Sequence, residues 1–189
     1  MVVRAVNGIR RTNVSSASRA SSADVALLIR RLYTGTAHAR QSARQSLVAL
    51  GGPAIGPLTD ILLDPKQDWE ARWEAAKALG EMGTSAVAPT LVRALEDPDF
   101  GVRWVAAEGL ADLGRAGLPA LMRGLIERPN SIWLRRRAHQ ALRMLAERGH
   151  RELVAPVLAA LEGTEPQATL PIAAERVLAQ LTRTENRVA

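Results

Sequence analysis

Cysteine is absent from this chain of 189 residues. A disulfide framework and a thiolate zinc site are therefore both excluded. No apolar run approaches the roughly 20 residues that a membrane-spanning helix needs. The first 22 residues also lack the apolar stretch of a secretory signal. These absences predict a cytoplasmic protein without a membrane span.

Histidine is nearly as scarce, which limits the metal and acid–base chemistry. The three histidines, His38, His139 and His150, fall in different segments, and none precedes a glutamate. Without cysteine or a His-Glu pair, we expect no transition-metal site and no cofactor. The serines lack a partner base at a recognisable spacing, and the glycines form no phosphate-binding loop. We therefore predict no catalytic residues and a protein that is not an enzyme.

Acidic residues are almost missing from the first part of the chain. Residues 1–44 hold eight arginines against a single acid, Asp24, which gives +7, whereas residues 45–189 sum to −1. The high net charge of +6 thus belongs to the N-terminal end. Residues 1–22 are basic and Ser-rich and are predicted to be a flexible arm; a transit peptide and an anion-binding arm are the alternatives.

An internal repeat is the strongest positive signal. Four segments align without gaps: ARQSARQSLVALG (39–51), ARWEAAKALGEMG (71–83), VRWVAAEGLADLG (102–114) and LRRRAHQALRMLA (134–146). Their arginines Arg40, Arg72, Arg103 and Arg135 recur at spacings of 32, 31 and 32 residues. A fifth, decayed copy, LPIAAERVLAQLT (170–182), has Pro171 in place of the arginine.

A second pattern alternates with the first, and both have helical periodicity. It comprises AIGPLTDILLDP, AVAPTLVRALEDP, AGLPALMRGLIERP and ELVAPVLAALEG. Glycines stand where helices should stop, and Asp-Pro or Arg-Pro dipeptides separate the partners. We predict an all-α fold of five helical hairpins at about 23–51, 53–83, 84–114, 115–147 and 149–182, and a tail over 183–189. One hairpin cannot bury its apolar stripe, whereas stacked neighbours can.

The alternating motifs resemble the HEAT-repeat family, in its short phycobilisome-lyase-type version. That family pairs a helix like A-x-x-P-L-x-x-A-L-x-D-P with one like V-R-x-x-A-A-x-x-L-G, and the likeness covers roughly residues 24–182. It implies a right-handed α-solenoid whose second helices line a concave groove. The family includes scaffolds, chaperones and a few enzymes, so the resemblance specifies the fold better than the function.

Aromatic residues make up only 3% of the chain, and most of them fall in the same part of the repeat. At 100° per residue, Trp73 points opposite to the apolar stripe of its helix, and Trp104 holds the same repeat position. Trp69, Phe100 and Trp133 lie at or just before the second helices of successive repeats. Such rings suit partner anchors, although they could instead pack over alanines of the next repeat. The predicted partner-binding residues are Trp69, Trp73, Lys77, Phe100, Trp104, Glu108, Trp133, Arg136, Arg137 and Gln140.

Three functions are compatible with these residues. The first is a non-catalytic scaffold that binds a protein or peptide along the groove, with the charged residues orienting the partner. The second is a nucleic-acid-binding protein similar to HEAT-like DNA-repair glycosylases, which the near-neutral body disfavours. The third is a bilin lyase or chaperone, on resemblance alone. The recurring arginines are interpreted mainly as a packing and hydrogen-bond ladder, and otherwise as anion ligands.

Overall fold

The computed structural model describes residues 22–185, except for the side chain of Glu185. The predicted N-terminal arm, apart from Ser22, and the last four residues of the predicted tail lie outside the described residues. No strand occurs within residues 22–185. The ten α-helices of the described part of the chain are α1 (Ser22–Thr34), α2 (Ala37–Leu50), α3 (Gly52–Leu63), α4 (Trp69–Glu81), α5 (Ala88–Ala94), α6 (Phe100–Asp112), α7 (Leu118–Glu127), α8 (Ile132–Leu145), α9 (Arg151–Glu162) and α10 (Pro166–Glu185).

Helix boundaries follow the chemistry of the connecting segments. Asp99 precedes α6, and its carboxylate accepts hydrogen bonds from the N–H groups of Gly101 and Val102 at 2.7 and 3.1 Å. These N–H groups have no acceptor within the helix, so the cap stabilises its first turn. At the other end, α2 stops at Gly51, whose φ of 64° is costly for residues with a Cβ atom.

Successive helices pair into hairpins, and the hairpins stack. The second helices α2, α4, α6 and α8 contact one another in chain order, and so do the first helices α1, α3, α5 and α7. A Cβ atom on Gly80 of α4 would lie only 2.9 Å from Cα of Gly109 on α6, so the glycines allow these backbones to touch. One continuous core of buried Leu, Ala and Val runs through the stack. The predicted all-α solenoid is confirmed.

The last hairpin departs from this stacking. Helix α9 packs against α8, and α10 packs against α7 and α9, so the decayed copy of the second helix lies beside a first helix. The segment Ala146–His150 joins α8 to α9 and kinks at Gly149, whose φ of 96° is not helical. Arg115, before α7, hydrogen-bonds to Thr184 at the end of α10. The fifth hairpin therefore closes the stack across both layers, as a cap does in repeat proteins.

Across residues 22–185, no helix combines the length and apolar character needed to cross a bilayer.

Candidate partner-binding site

Four large aromatic side chains stand on the surface of the second-helix layer. Phe100 is 57% exposed, Trp69 50%, Trp133 46% and Trp104 44%. They begin or lie within helices α4, α6 and α8, as the repeat alignment predicts. Exposed aromatic rings are unusual enough on a protein surface to mark a candidate contact site.

Trp73 behaves differently from the other tryptophans. It is half-buried and packs against the core, although the helical projection placed it opposite the apolar stripe. A Cβ atom on Gly101 of the next repeat would lie 3.4 Å from Cδ1 of Trp73, within ordinary contact distance, so the ring lies against this repeat. The Arg44 guanidinium carbon is 6.0 Å from its centroid on the other side. The Trp73 ring is therefore partly packed rather than fully outward, and its role in partner binding stays a prediction.

Helices α6 and α8 bring three rings together with arginines between them. The Phe100 and Trp104 rings are stacked, with centroids 6.0 Å apart and planes 28° apart. The Arg137 guanidinium carbon is 4.5 Å from the Phe100 centroid and 6.0 Å from that of Trp104. These distances are typical of cation–π contacts.

Trp133 extends the same arrangement towards the start of α8. The Arg103 guanidinium carbon lies 4.0 Å from the Trp133 centroid and 6.0 Å from that of Phe100. Arg136 adds a second cation at 5.9 Å from Trp133. Rings and guanidinium groups therefore alternate across the α6–α8 contact. We call these six residues the arginine–aromatic cluster: Phe100, Arg103, Trp104, Trp133, Arg136 and Arg137.

The cluster concentrates positive charge without neutralising it. Burial lowers the pKa of the Arg137 guanidinium, and the charges of Arg103 and Arg136 lower it further. Arg137 Nη1 donates to Oε1 of Gln140 at 2.7 Å, which places the predicted Gln140 beside the cluster. Over residues 22–185, the ion pairs include no carboxylate partner for these three arginines.

Unpaired buried donors also concentrate here. Within the described residues, the buried side-chain nitrogen and oxygen atoms without a hydrogen-bond partner are Nε of Arg103, Nε of Arg137 and Nε2 of Gln140. A buried donor left unpaired costs about 1–3 kcal/mol and calls for an explanation. All three atoms belong to the cluster or to its neighbour.

The recurring arginines have a structural role, as interpreted from the repeat. Arg40 donates to the carbonyl of Gly35 at 3.1 Å, Arg103 to that of Pro98 at 2.8 Å, and Arg135 to that of Pro129 at 2.7 Å. Each arginine thus closes the loop that precedes its own helix.

Arg72 also forms a rung of the ladder between repeats. Its Nε and Nη2 donate to the two Asp97 oxygens at 2.8 and 3.1 Å, and this hydrogen bond raises the pKa of Arg72. The corresponding position one repeat later is Arg128. Arg103 therefore meets no carboxylate there and stacks on Trp133 instead. The change from Asp97-Pro98 to Arg128-Pro129 is visible in the sequence, but its consequence for Arg103 was missed.

Two predicted residues pair with each other rather than with the cluster. Lys77 of α4 and Glu108 of α6 form an ion pair at 3.9 Å between neighbouring second helices. Each has about a third of its side chain exposed, so solvent screens the pair and its contribution to stability is small. Their role in partner binding stays a prediction.

A second arginine network, also missed from sequence, lies at the α2–α4 contact. Arg44 Nη1 is 2.6 Å from Glu74 and its Nε is 3.3 Å from Glu81, and Arg40 lies 3.7 Å from Glu74. Here the arginine charges are balanced by acids of the adjacent helix. The helical spacing of Glu74 and Glu81, seven residues apart on one face, was the available signal.

Residues 22–185 contain no group of three or more His, Cys, Asp or Glu side chains arranged to hold a metal ion. His139 and Glu162 form a single pair, with Nε2 and Oε1 at 2.8 Å. The absence of a cofactor stays a prediction.

The stack of hairpins defines the class of this protein as an α-solenoid repeat protein. Its residues 55–143 match the family described as HEAT repeats. Over this span the chain is similar to HEAT-repeat proteins, as its sequence predicts. No curated protein matches it.

Among solved structures, one chain of the complex of CpcE and CpcF of phycocyanin lyase from Nostoc sp. PCC7120 is similar. The identity is 24%, the match covers 94% of this chain and 71% of that one, and the TM-score is 0.44.

The same match corrects the prediction that the chain is not an enzyme. That prediction took the lack of a recognisable catalytic arrangement as grounds for exclusion, and it is contradicted because a similar chain belongs to a lyase. The likeness concerns the fold and assigns no activity to this chain.

Proposed function

We propose that this HEAT-like protein is a scaffold that binds a protein or peptide partner on the exposed side of α4, α6 and α8. The observation that carries the proposal is the arginine–aromatic cluster, where exposed rings and guanidinium groups alternate over one helix–helix contact.

The position of the exposed rings is informative because the chain has few aromatic residues. The chain has four Trp, one Phe and one Tyr, and Trp69, Phe100, Trp104 and Trp133 are all exposed on the same layer. Tryptophan and arginine are enriched among residues that contribute most to protein–protein binding. A ring kept in water costs apolar hydration, which a partner covering it would recover.

Nucleic acid is a weaker candidate for this surface. Residues 22–185 contain 20 basic and 19 acidic side chains, so the described solenoid is almost neutral. On the second-helix layer, Glu74, Glu81 and Glu108 take up basic neighbours in ion pairs. A protein that tracks a phosphate backbone instead needs a basic stripe.

Affinity capture from the lysate of the native host tests the proposal. The baits are the wild type, the variant Trp104→Ala/Trp133→Ala and the control Leu27→Ala/Ile172→Ala. The control removes two side chains that are 52% and 54% exposed outside the cluster. We expect the same protein to be retained by the wild type and the control and to be lost from the cluster variant.

Three other outcomes would contradict the proposal. One is a protein retained equally by all baits. Another is recovery that nuclease treatment abolishes, which would favour a nucleic acid. The third is a coloured eluate without a protein partner, which would favour a chromophore.

A further inference from the structure

The arginine side chains of the cluster contact rings through their faces, and their edges are only partly used, by the bonds from Arg103 to Pro98 and from Arg137 to Gln140. Arg103 and Arg137 lie 4.0 and 4.5 Å from ring centroids, so their planar faces contact aromatic carbon. A guanidinium group donates hydrogen bonds in its own plane, along its edge. Stacking on a ring therefore fixes the orientation of the group and does not consume its donors.

No group within residues 22–185 balances these charges. Arg136 is exposed, Arg137 is half-buried, and the ion pairs include no carboxylate for either. Burial lowers the pKa of Arg137, and the nearby charges of Arg103 and Arg136 lower it further. A ligand with negative charge would relieve the repulsion, and one with acceptor oxygens would pair with edge donors.

We infer that the arginine–aromatic cluster binds an acidic segment of a protein partner, in which Asp or Glu carboxylates alternate with apolar side chains. The inference rests on the proposed function and names the chemistry of the partner. The carboxylates pair with Arg136 and Arg137, because a carboxylate matches the fork of a guanidinium group. The apolar side chains cover Phe100, Trp104 and Trp133, each more than two-fifths exposed.

A phosphate-bearing strand fits the same observations less well. Bases can stack on tryptophan, and phosphates can pair with arginine. However, strand binding follows a positively charged groove over several nucleotides, and the neighbouring α4–α6 contact presents the Lys77–Glu108 pair instead. On this layer the α2–α4 and α4–α6 contacts hold ion pairs with acids, whereas the arginines of the α6–α8 contact have none, which favours a short acidic segment.

Selection from a random-peptide phage library tests the inference on the full-length protein. The immobilised proteins are the wild type, Arg136→Gln/Arg137→Gln and the control Arg93→Gln/Arg123→Gln. The control removes the same charge from exposed positions on the first helices α5 and α7. We expect the wild type and the control to enrich peptides with Asp or Glu beside Leu, Phe or Trp. The cluster variant should bind those peptides at least about tenfold more weakly.

Binding of a selected peptide is then measured against its Asn/Gln-substituted counterpart and against a mixed-sequence single-stranded oligonucleotide. The acidic peptide should bind at least about tenfold more tightly than the neutral one and should weaken with salt. Melting temperatures of the three proteins should agree within about 2 °C, because Arg136 and Arg137 hold no ion pair to lose. A cluster variant that melts far lower would show that the arginines are structural, which overturns the inference.

The other possible outcomes also test the inference. Enriched peptides without acidic residues, no enrichment at all, or tighter binding of the oligonucleotide would each overturn the acidic-partner inference. Failure here is distinguishable from failure of the proposed function. If Arg136→Gln/Arg137→Gln still captures the cellular partner that Trp104→Ala/Trp133→Ala loses, the scaffold proposal stands and only the acidic chemistry is wrong.

Discussion

Two contacts between second helices use arginine in opposite ways. At the α2–α4 contact, Arg44 lies 2.6 Å from Glu74 and 3.3 Å from Glu81, so its charge is balanced within the protein. At the α6–α8 contact, Arg137 lies over Phe100 and faces the charges of Arg103 and Arg136. The first arrangement pairs charges within the stack, and the second leaves its arginines without an ion pair among residues 22–185. Residue type alone therefore does not show whether a repeat arginine serves the fold or a partner.

The arginines of the α6–α8 contact differ from those of earlier repeats because the preceding loops differ. Asp97 takes two hydrogen bonds from Arg72 of the preceding repeat, whereas Arg128 stands at the corresponding place for Arg103. Arg128 instead pairs with Glu96, in the loop between α5 and α6. Because an arginine replaces the aspartate at this repeat position, Arg103 has no carboxylate there and stacks on Trp133. The cluster therefore forms at the repeat where the Arg72–Asp97 pair has no counterpart.

The largest effect should come from breaking the balanced side of this comparison. Arg72→Met leaves the Asp97 carboxylate, which is 8% exposed, without its bidentate partner. Removing one member of a buried ion pair typically costs about 3–5 kcal/mol. We expect the free energy of unfolding to fall by that amount in denaturant titration.

The double variant Arg72→Met/Asp97→Asn is the control for this change. Because it removes the unpaired charge as well, it should recover a large part of the lost stability. If Arg72→Met were as stable as the wild type, the Arg72–Asp97 pair would contribute nothing to stability and would not hold these two repeats together.

The fold was predictable because its signals are local and repeated. The spacing of Arg40, Arg72, Arg103 and Arg135 defines the repeat, and glycine and proline mark where helices stop. The reversal of the last hairpin was less accessible, since it depends on the geometry at Gly149 and on which layer α10 can reach. Pro171 in place of the repeat arginine was the one hint that this copy differs.

The candidate site was predictable in position but not in its contacts. The alignment placed Trp104, Trp133 and Phe100 near one another, and the structure brings them into one cluster. A helical projection treats each helix separately, so it could not show that Trp73 packs against the core and lies beside Gly101 of the next repeat. It likewise could not show that Arg103, 4% exposed, turns towards a ring of the next repeat.

A smaller effect should separate the packed tryptophan from the exposed one. Trp73→Ala removes a half-buried ring that contacts the core, and we expect a loss of about 2–3 kcal/mol of stability. Trp104→Ala, at a position 44% exposed, should cost less than about 1 kcal/mol and weaken partner binding. Thermal melting and partner capture measure both. Equal destabilisation by the two changes would mean that Trp104 is a packing residue and would remove the distinction between the two regions.

The smallest effect tests the comparison directly, because matched changes at the two contacts should differ in sign or size. Arg44→Gln removes the ion pairs with Glu74 and Glu81 and should lower stability by about 1 kcal/mol, since the Arg44 side chain is only 13% exposed. Arg137→Gln loses a cation–π contact but relieves the repulsion from Arg103 and Arg136, so its net effect should stay within about 0.5 kcal/mol. Denaturant titration in low salt and again at about 0.5 M salt measures the difference, which should shrink as the charges are screened. If Arg137→Gln were the more destabilising of the two in low salt, the α6–α8 arginines would belong to the fold in the same way as those of the α2–α4 contact.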